Sequence, residues 1–182
     1  MNIGRFGFAF ILLTFSVSSL GSDRLPRAED VLTQAQTEAT KEHKNIFLIF
    51  SSRYCGPCRE LEEFLGNPKI NSIITKHFVV ARLPVAEESG TDHKPTSPGA
   101  DELAHRYGGV WGSIPFFVFL DSSGQLIINS NRPAKNKPEG ENIGYPATAE
   151  EIEWFLNMLR KGAPSITGDD LLIIETVLRS AS

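Results

Sequence analysis

The chain is poor in cysteine, methionine and tryptophan, with two of each among 182 residues, and it has no cluster of positive charge. So few cysteines exclude a small scaffold held together by several disulfides. A net charge of -4, without a basic stripe or a recognition motif, argues against nucleic acid as a partner. The one long apolar stretch, Phe6 to Val17, is shorter than the roughly 18 residues a membrane span requires. There is no second Cys-x-x-Cys, and His43, His77, His93 and His105 lack the spacing of paired zinc ligands. A four-ligand zinc site within one chain therefore has no donor set, which leaves only a metal shared between chains. What remains is an ordinary globular composition, 41% apolar and 22% charged.

Both cysteines fall in one tetrapeptide, Cys55-Gly56-Pro57-Cys58. As a structural staple the pair is poor. The loop-entropy estimate gives only about 2 kcal/mol for a loop of about four residues, against about 4.7 kcal/mol for one of about 100. The spacing suits reversible dithiol/disulfide chemistry, in which one sulfur attacks a substrate disulfide and the other resolves the mixed intermediate.

The neighbouring residues predict a strand running into a helix at this point. Lys44 to Phe50 is a short run rich in Ile and Phe, the pattern of a buried strand, and it ends in the polar Ser51-Ser52-Arg53-Tyr54. After the motif, Cys58, Leu61 and Leu65 recur at i, i+3 and i+7 with Phe64 beside them, one face of a helix. Cys55 then stands at the helix start, where unpaired N-H groups and the macrodipole favour a thiolate. Arg53 and Arg59 add positive charge nearby. Pro57 suits the first turn, where its missing N-H costs nothing. Cys58, a turn further in, is expected to face the core, which makes Cys55 the attacking sulfur and Cys58 the resolving one.

In this arrangement the chain resembles the thioredoxin superfamily, and within it the exported thioredoxin-like proteins related to thiol-disulfide interchange domains. The resemblance covers about residues 28–160. It rests on the Cys55 to Cys58 motif after a strand, on Leu61-Glu62-Glu63-Phe64 followed by Asn67-Pro68, and on a next strand from His77 to Leu83. It continues in a helix and turn over Leu103 to Val110, and in Gly112-Ser113-Ile114-Pro115 leading into Phe116 to Leu120. The two motifs lie some 60 residues apart. The resemblance implies a three-layer α/β fold, a central mixed sheet flanked by helices. It further implies a cis Ile114–Pro115 bond that sets the ring against the cysteines, although X-Pro bonds in general are cis only about 5–6% of the time. By the same likeness Tyr54, Gly56, Pro57, Ile114 and Pro115 border an extended protein substrate, the Ile114 backbone pairing with it.

Two positions depart from the family pattern. Tyr54 replaces the usual Trp before the first cysteine and keeps an aromatic shoulder. Ile49, six residues before Cys55, stands where thioredoxin carries a buried acid that helps move the resolving cysteine's proton, so here that proton needs another acceptor.

Residues 1–21 read as a signal peptide, with Arg5 before the apolar stretch and Ser19 and Gly21 suited to cleavage after Gly21. No cysteine follows the stretch, so a lipid anchor is not expected. The expectation is export, to a periplasm or to the outside. The remaining domain, 22–182, holds 17 basic and 22 acidic residues and is long enough for one good core. An oxidising compartment agrees with a chain that carries no stray thiol.

The other segments read as scaffold. Ala28 to Lys44 is a first helix with Val31, Leu32, Ala35 and Ala39 inward and His43 solvated at its end. Pro84 to Gly99, including His93, is a long polar loop. Asp121 to Gly124 is a hairpin turn, and Ser130 to Pro146 is expected to be mobile. Thr148 and Glu151 have capping-box spacing before a helix with Ile152, Phe155, Leu156 and Leu159 on one face and Trp154 at its edge. An extra helix within 165–181, capped by Thr167, extends beyond a minimal thioredoxin.

The expected function is exchange or reduction of disulfides in exported proteins, with no cofactor beyond the Cys55–Cys58 pair and no metal. The partners expected are protein disulfides or dithiols and, as the resemblance implies, a membrane electron donor. Two other readings stay open at this stage: a binding module with idle cysteines, and a metal or cofactor-delivery protein that uses both sulfurs as ligands.

Overall fold

The computed structural model describes residues 25–85 and 96–181. The leader expected at 1–21, and Glu87, Glu88, Gly90 and His93 of the polar loop, lie outside the described residues.

Two apolar runs set the architecture. Asn45–Ser51 forms β1 and Phe116–Leu120 forms β3, with Ile46 to Phe50 and all five residues of β3 buried. Strands buried on both faces must be covered on both sides. β1 pairs in parallel with β2 (Phe78–Pro84) and antiparallel with β3, which pairs antiparallel with β4 (Leu126–Asn129). The order is β2-β1-β3-β4, a mixed sheet. Because parallel neighbours need a long crossover, two helices intervene between β1 and β2, α2 (Gly56–Gly66) and α3 (Pro68–His77).

Alternation along the strands sorts the core into two halves. Phe47, Ile49, Phe117 and Phe119 face α2, α3, α5 (Ala149–Gly162) and α6 (Gly168–Ala181). Ile46, Leu48, Phe50, Phe116, Val118 and Leu120 face α1 (Ala28–Glu42) and α4 (Ala100–Arg106). This is the three-layer α/β arrangement expected. On the first face Phe78 stacks on Phe119 with ring centres 4.5 Å apart, and Phe47 meets Phe119 edge-on at 4.8 Å. Each such side chain stabilises the fold by roughly 1.5–3 kcal/mol on burial.

The helix termini follow their sequence signals. Thr148 and Glu151 form a reciprocal capping box. Asn67 accepts the Lys69 N-H at 3.0 Å, and Thr167 accepts the Asp170 N-H at 3.1 Å. Leu171, Ile174 and Leu178 of α6 are buried in the same core as α3 and α5, so the extra helix packs back on the domain, while Leu172 and Ile173 stay exposed. No helix among the described residues is long and apolar enough to cross a membrane.

The segment 130–146 is a correction. Instead of a mobile stretch it contains a second, two-stranded sheet, β5 (Asn131–Ala134) with β6 (Lys137–Asn142). Its turn uses Asn136 at φ 66°, a conformation Asn tolerates. The hairpin carries almost no apolar alternation: Asn131 and Asn142 bond to the neighbouring loop, and Arg132 and Lys137 pair with Glu141 within the hairpin.

Candidate active site

After β1 the chain turns through Ser52, Arg53 and Tyr54 and enters α2 at Cys55. Cys55 is extended (φ -75°, ψ 125°) and occupies the N-cap, its sulfur accepting the Cys58 N-H at 3.2 Å. One of the helix's unpaired N-H groups is thereby directed at sulfur, and Pro57 in the first turn removes another. Cys55 is partly exposed, whereas Cys58 is 2% exposed and shares the inner face of α2 with Leu61, Phe64 and Leu65. The two sulfurs are joined in a disulfide, with Cα atoms 5.2 Å apart. Tyr54 stands 48% exposed beside the pair, with the Arg53 guanidinium 5.1 Å from its ring centre. A side chain added at Gly56 would meet nothing within 4 Å, so the approach to the motif is open there.

The other half of the site arrives from the turn before β3. The Ile114–Pro115 bond is cis, and the Ile114 carbonyl oxygen lies 3.6 Å from Cys55 Sγ. In the oxidised pair that sulfur carries no proton, so this is a contact; a thiol at the same place has an acceptor within reach. Pro115 is buried and Ile114 half-buried, and among the described residues the Ile114 N-H meets no acceptor. The structure thus brings Cys55 and Ile114 together, each accompanied by its chain neighbours Tyr54, Gly56, Pro57 and Pro115.

Behind Cys58 lies a cavity of about 660 Å³, whose wall includes Ser51, Ser52, Glu62, Glu63 and Arg82. The Arg82 Nε-H is shared between both carboxylate oxygens of Glu62, at 2.9 Å each. Ile49 is fully buried in the core. Among the described residues no group of three or more His, Cys, Asp or Glu side chains is placed to hold a metal ion.

The polar framework around the loop 107–115 has no counterpart in the sequence reading. Asn129 Nδ2 donates to Tyr107 O at 2.9 Å and Asn131 Nδ2 to Gly108 O at 2.8 Å. Asn142 Nδ2 donates toward Ser113 O, Ser113 Oγ and Pro115 O at 3.1, 3.2 and 3.0 Å. Gly108 adopts φ 92°, and a Cβ there would come 2.8 Å from Asn129 Nδ2, so both conformation and space require glycine. Between these anchors Val110 and Trp111 are each 58% exposed. The one available sequence signal was the spacing of Asn129 and Asn131, two apart and hence on one face of an extended segment.

A mixed sheet between helical layers, with a Cys-x-x-Cys disulfide at a helix start and a cis-proline turn against it, defines a thioredoxin-like protein with a redox-active disulfide. The model of the thioredoxin-like domain matches residues 32–132, and the chain belongs to that family. Among solved structures it is similar to a disulphide isomerase from Xylella fastidiosa Temecula1, at 27% identity over 62% of this chain and 79% of that one, TM-score 0.47. A thioredoxin from Thermus thermophilus is 22% identical over 80% of this chain and 94% of its own, TM-score 0.43. A DsbH oxidoreductase is 15% identical over 84% and 95% respectively, TM-score 0.46. No curated protein matches the chain.

Proposed function

We propose that the protein is an exported thiol-disulfide oxidoreductase that reduces or exchanges disulfides of protein substrates. The observation that carries this reading is the asymmetry of the pair: Cys55 partly open at a helix N-cap next to Ile114 O, and Cys58 buried one turn inside. In the dithiol form the Cys55 thiolate attacks one sulfur of the substrate disulfide. An S–S bond forms to Cys55 and the other substrate sulfur leaves as a thiolate. The Cys58 thiolate then attacks Cys55 Sγ, which closes the internal disulfide and releases the second substrate thiolate. Two electrons pass to the substrate, and an external dithiol restores the pair. With Ile49 apolar, the Cys58 proton needs another acceptor, and Ser52, Glu62 and Glu63 are polar groups that share the adjoining cavity with Cys58. An extended substrate segment pairs with the Ile114 backbone, flanked by Tyr54 and Pro115.

The leader-like residues 1–21 support export, and a reductant in an oxidising compartment requires an electron donor, which the family resemblance suggests is a membrane electron carrier. The test is reduction of insulin by the purified protein with dithiothreitol as the electron supply. Cys55→Ser abolishes turnover, and Cys58→Ser accumulates a mixed disulfide through Cys55. Turnover that survives in Cys55→Ser removes this mechanism.

A further inference from the structure

The Ser113–Pro115 turn is held from outside the region that the family model matches, by one side chain. Asn142, at the end of β6, aims its Nδ2 at Ser113 O, Ser113 Oγ and Pro115 O. An amide nitrogen has two hydrogens, so three acceptors at 3.0–3.2 Å are shared between them and the nitrogen is saturated. The orientation of the amide is fixed from its other end. Ser130, fully buried, accepts the Phe117 N-H on Oγ at 3.1 Å, which leaves its own proton to go to Asn142 Oδ1 at 2.7 Å. The Gly144 N-H adds a weaker bond to Oδ1 at 3.3 Å. The network therefore links β3, the end of β4 and the end of β6 to the peptide groups on either side of the Ile114–Pro115 pair.

We infer that Asn142, oriented by buried Ser130, is a positioning residue that fixes the Ser113–Pro115 backbone beside Cys55 and thereby the edge on which a protein substrate docks. This rests on the oxidoreductase reading above. The network touches neither sulfur, so its loss loosens docking without altering the exchange chemistry. Protein substrates need the Ile114 backbone in place; a small aromatic disulfide needs only the Cys55 sulfur. An oxygen in place of Nδ2 would face the Ser113 and Pro115 carbonyls, which can only accept.

The experiment compares the full chain with Asn142→Asp, Asn142→Ala and Ser130→Ala, using insulin with dithiothreitol as the electron supply and, in single turnovers of the pre-reduced protein without added dithiol, the small disulfide 5,5'-dithiobis(2-nitrobenzoate). In the Asn142 variants KM for insulin rises about tenfold with kcat within about twofold, while the rate with the small disulfide stays within about twofold. Ser130→Ala, which keeps the amide but frees its orientation, moves insulin KM the same way by about threefold. An unchanged insulin KM in folded variants, or a parallel fall with both substrates, overturns the inference. So does failure of all three variants to fold, because the network would then belong to the core alone. If the unmodified protein turns over neither substrate, the oxidoreductase reading fails, and the positioning role falls with it.

Discussion

Cys55 Sγ and the Ile114 carbonyl oxygen, 59 positions apart in the chain, meet at 3.6 Å, while Cys58 on the same helix turns away into the core. Once the pair is reduced, this geometry separates the two thiols kinetically. Iodoacetamide is expected to modify Cys55 at least about 100-fold faster than Cys58, since only the thiolate at the helix start is open to attack. Peptide mapping after a short pulse measures this. Equal labelling of both cysteines would remove the asymmetry on which the assignment of roles depends.

Gly162 lies against the ring of Phe119, where an added Cβ would approach Cδ2 to 2.7 Å. Its φ is not in the left-handed region, so the constraint is packing alone. Gly162→Ala is expected to destabilise the fold by about 1–3 kcal/mol in urea unfolding. Combining it with Phe119→Leu should recover part of that loss, because the two changes share one space. Strict additivity would speak against the contact.

The capping box at α5 gives a smaller and cleaner effect. Thr148 Oγ1 accepts the Glu151 N-H at 3.3 Å, and Glu151 accepts the Thr148 N-H at 2.8 Å. Thr148→Ala should lower stability by about 1 kcal/mol, whereas Thr148→Ser should change it little. The denaturation midpoint distinguishes the two.

His77 supplies a dependence on pH. It is buried at the end of α3, with Nδ1 3.3 Å from Ser165 Oγ and Nε2 without a partner among the described residues. Burial, aided by Lys76 and Lys44 and opposed by Asp170, pushes its pKa below the ordinary value. The folded protein then binds this proton less readily than the unfolded chain. The stability is intact above about pH 6.5 and declines as pH falls from there through the depressed folded value. Thermal midpoints measured between pH 7.5 and 5 should show this decline, and His77→Leu should flatten it. An unchanged slope in that variant would place the titration elsewhere.

The elements legible in the sequence were those whose signal is local. Ile46 to Phe50 and Phe116 to Leu120 announce buried strands, and Thr148 with Glu151 announces a helix start. Cys55 and Cys58 carry their inequality in the helix that follows them. The hairpin β5–β6 was illegible because hydrophobic periodicity is blind to a segment held by polar bonds. Asn142 matters through acceptors 27 and 29 residues away, and nothing in its own neighbourhood points to them. The place of Ile49 was readable, but that Cys58 borders a cavity walled in part by Glu62, Glu63 and Arg82 depends on how β2 and α2 pack.

The covalent link between the sulfurs joins residues only three apart. Opening or closing it ties no distant segments together and leaves the sheet and its flanking layers with the same connectivity. A partner that must distinguish the electron-loaded form from the spent one therefore has little to read in the body of the molecule. It must sense the few atoms at the mouth of α2, so recognition of redox state and access to the reactive sulfur depend on the same small patch.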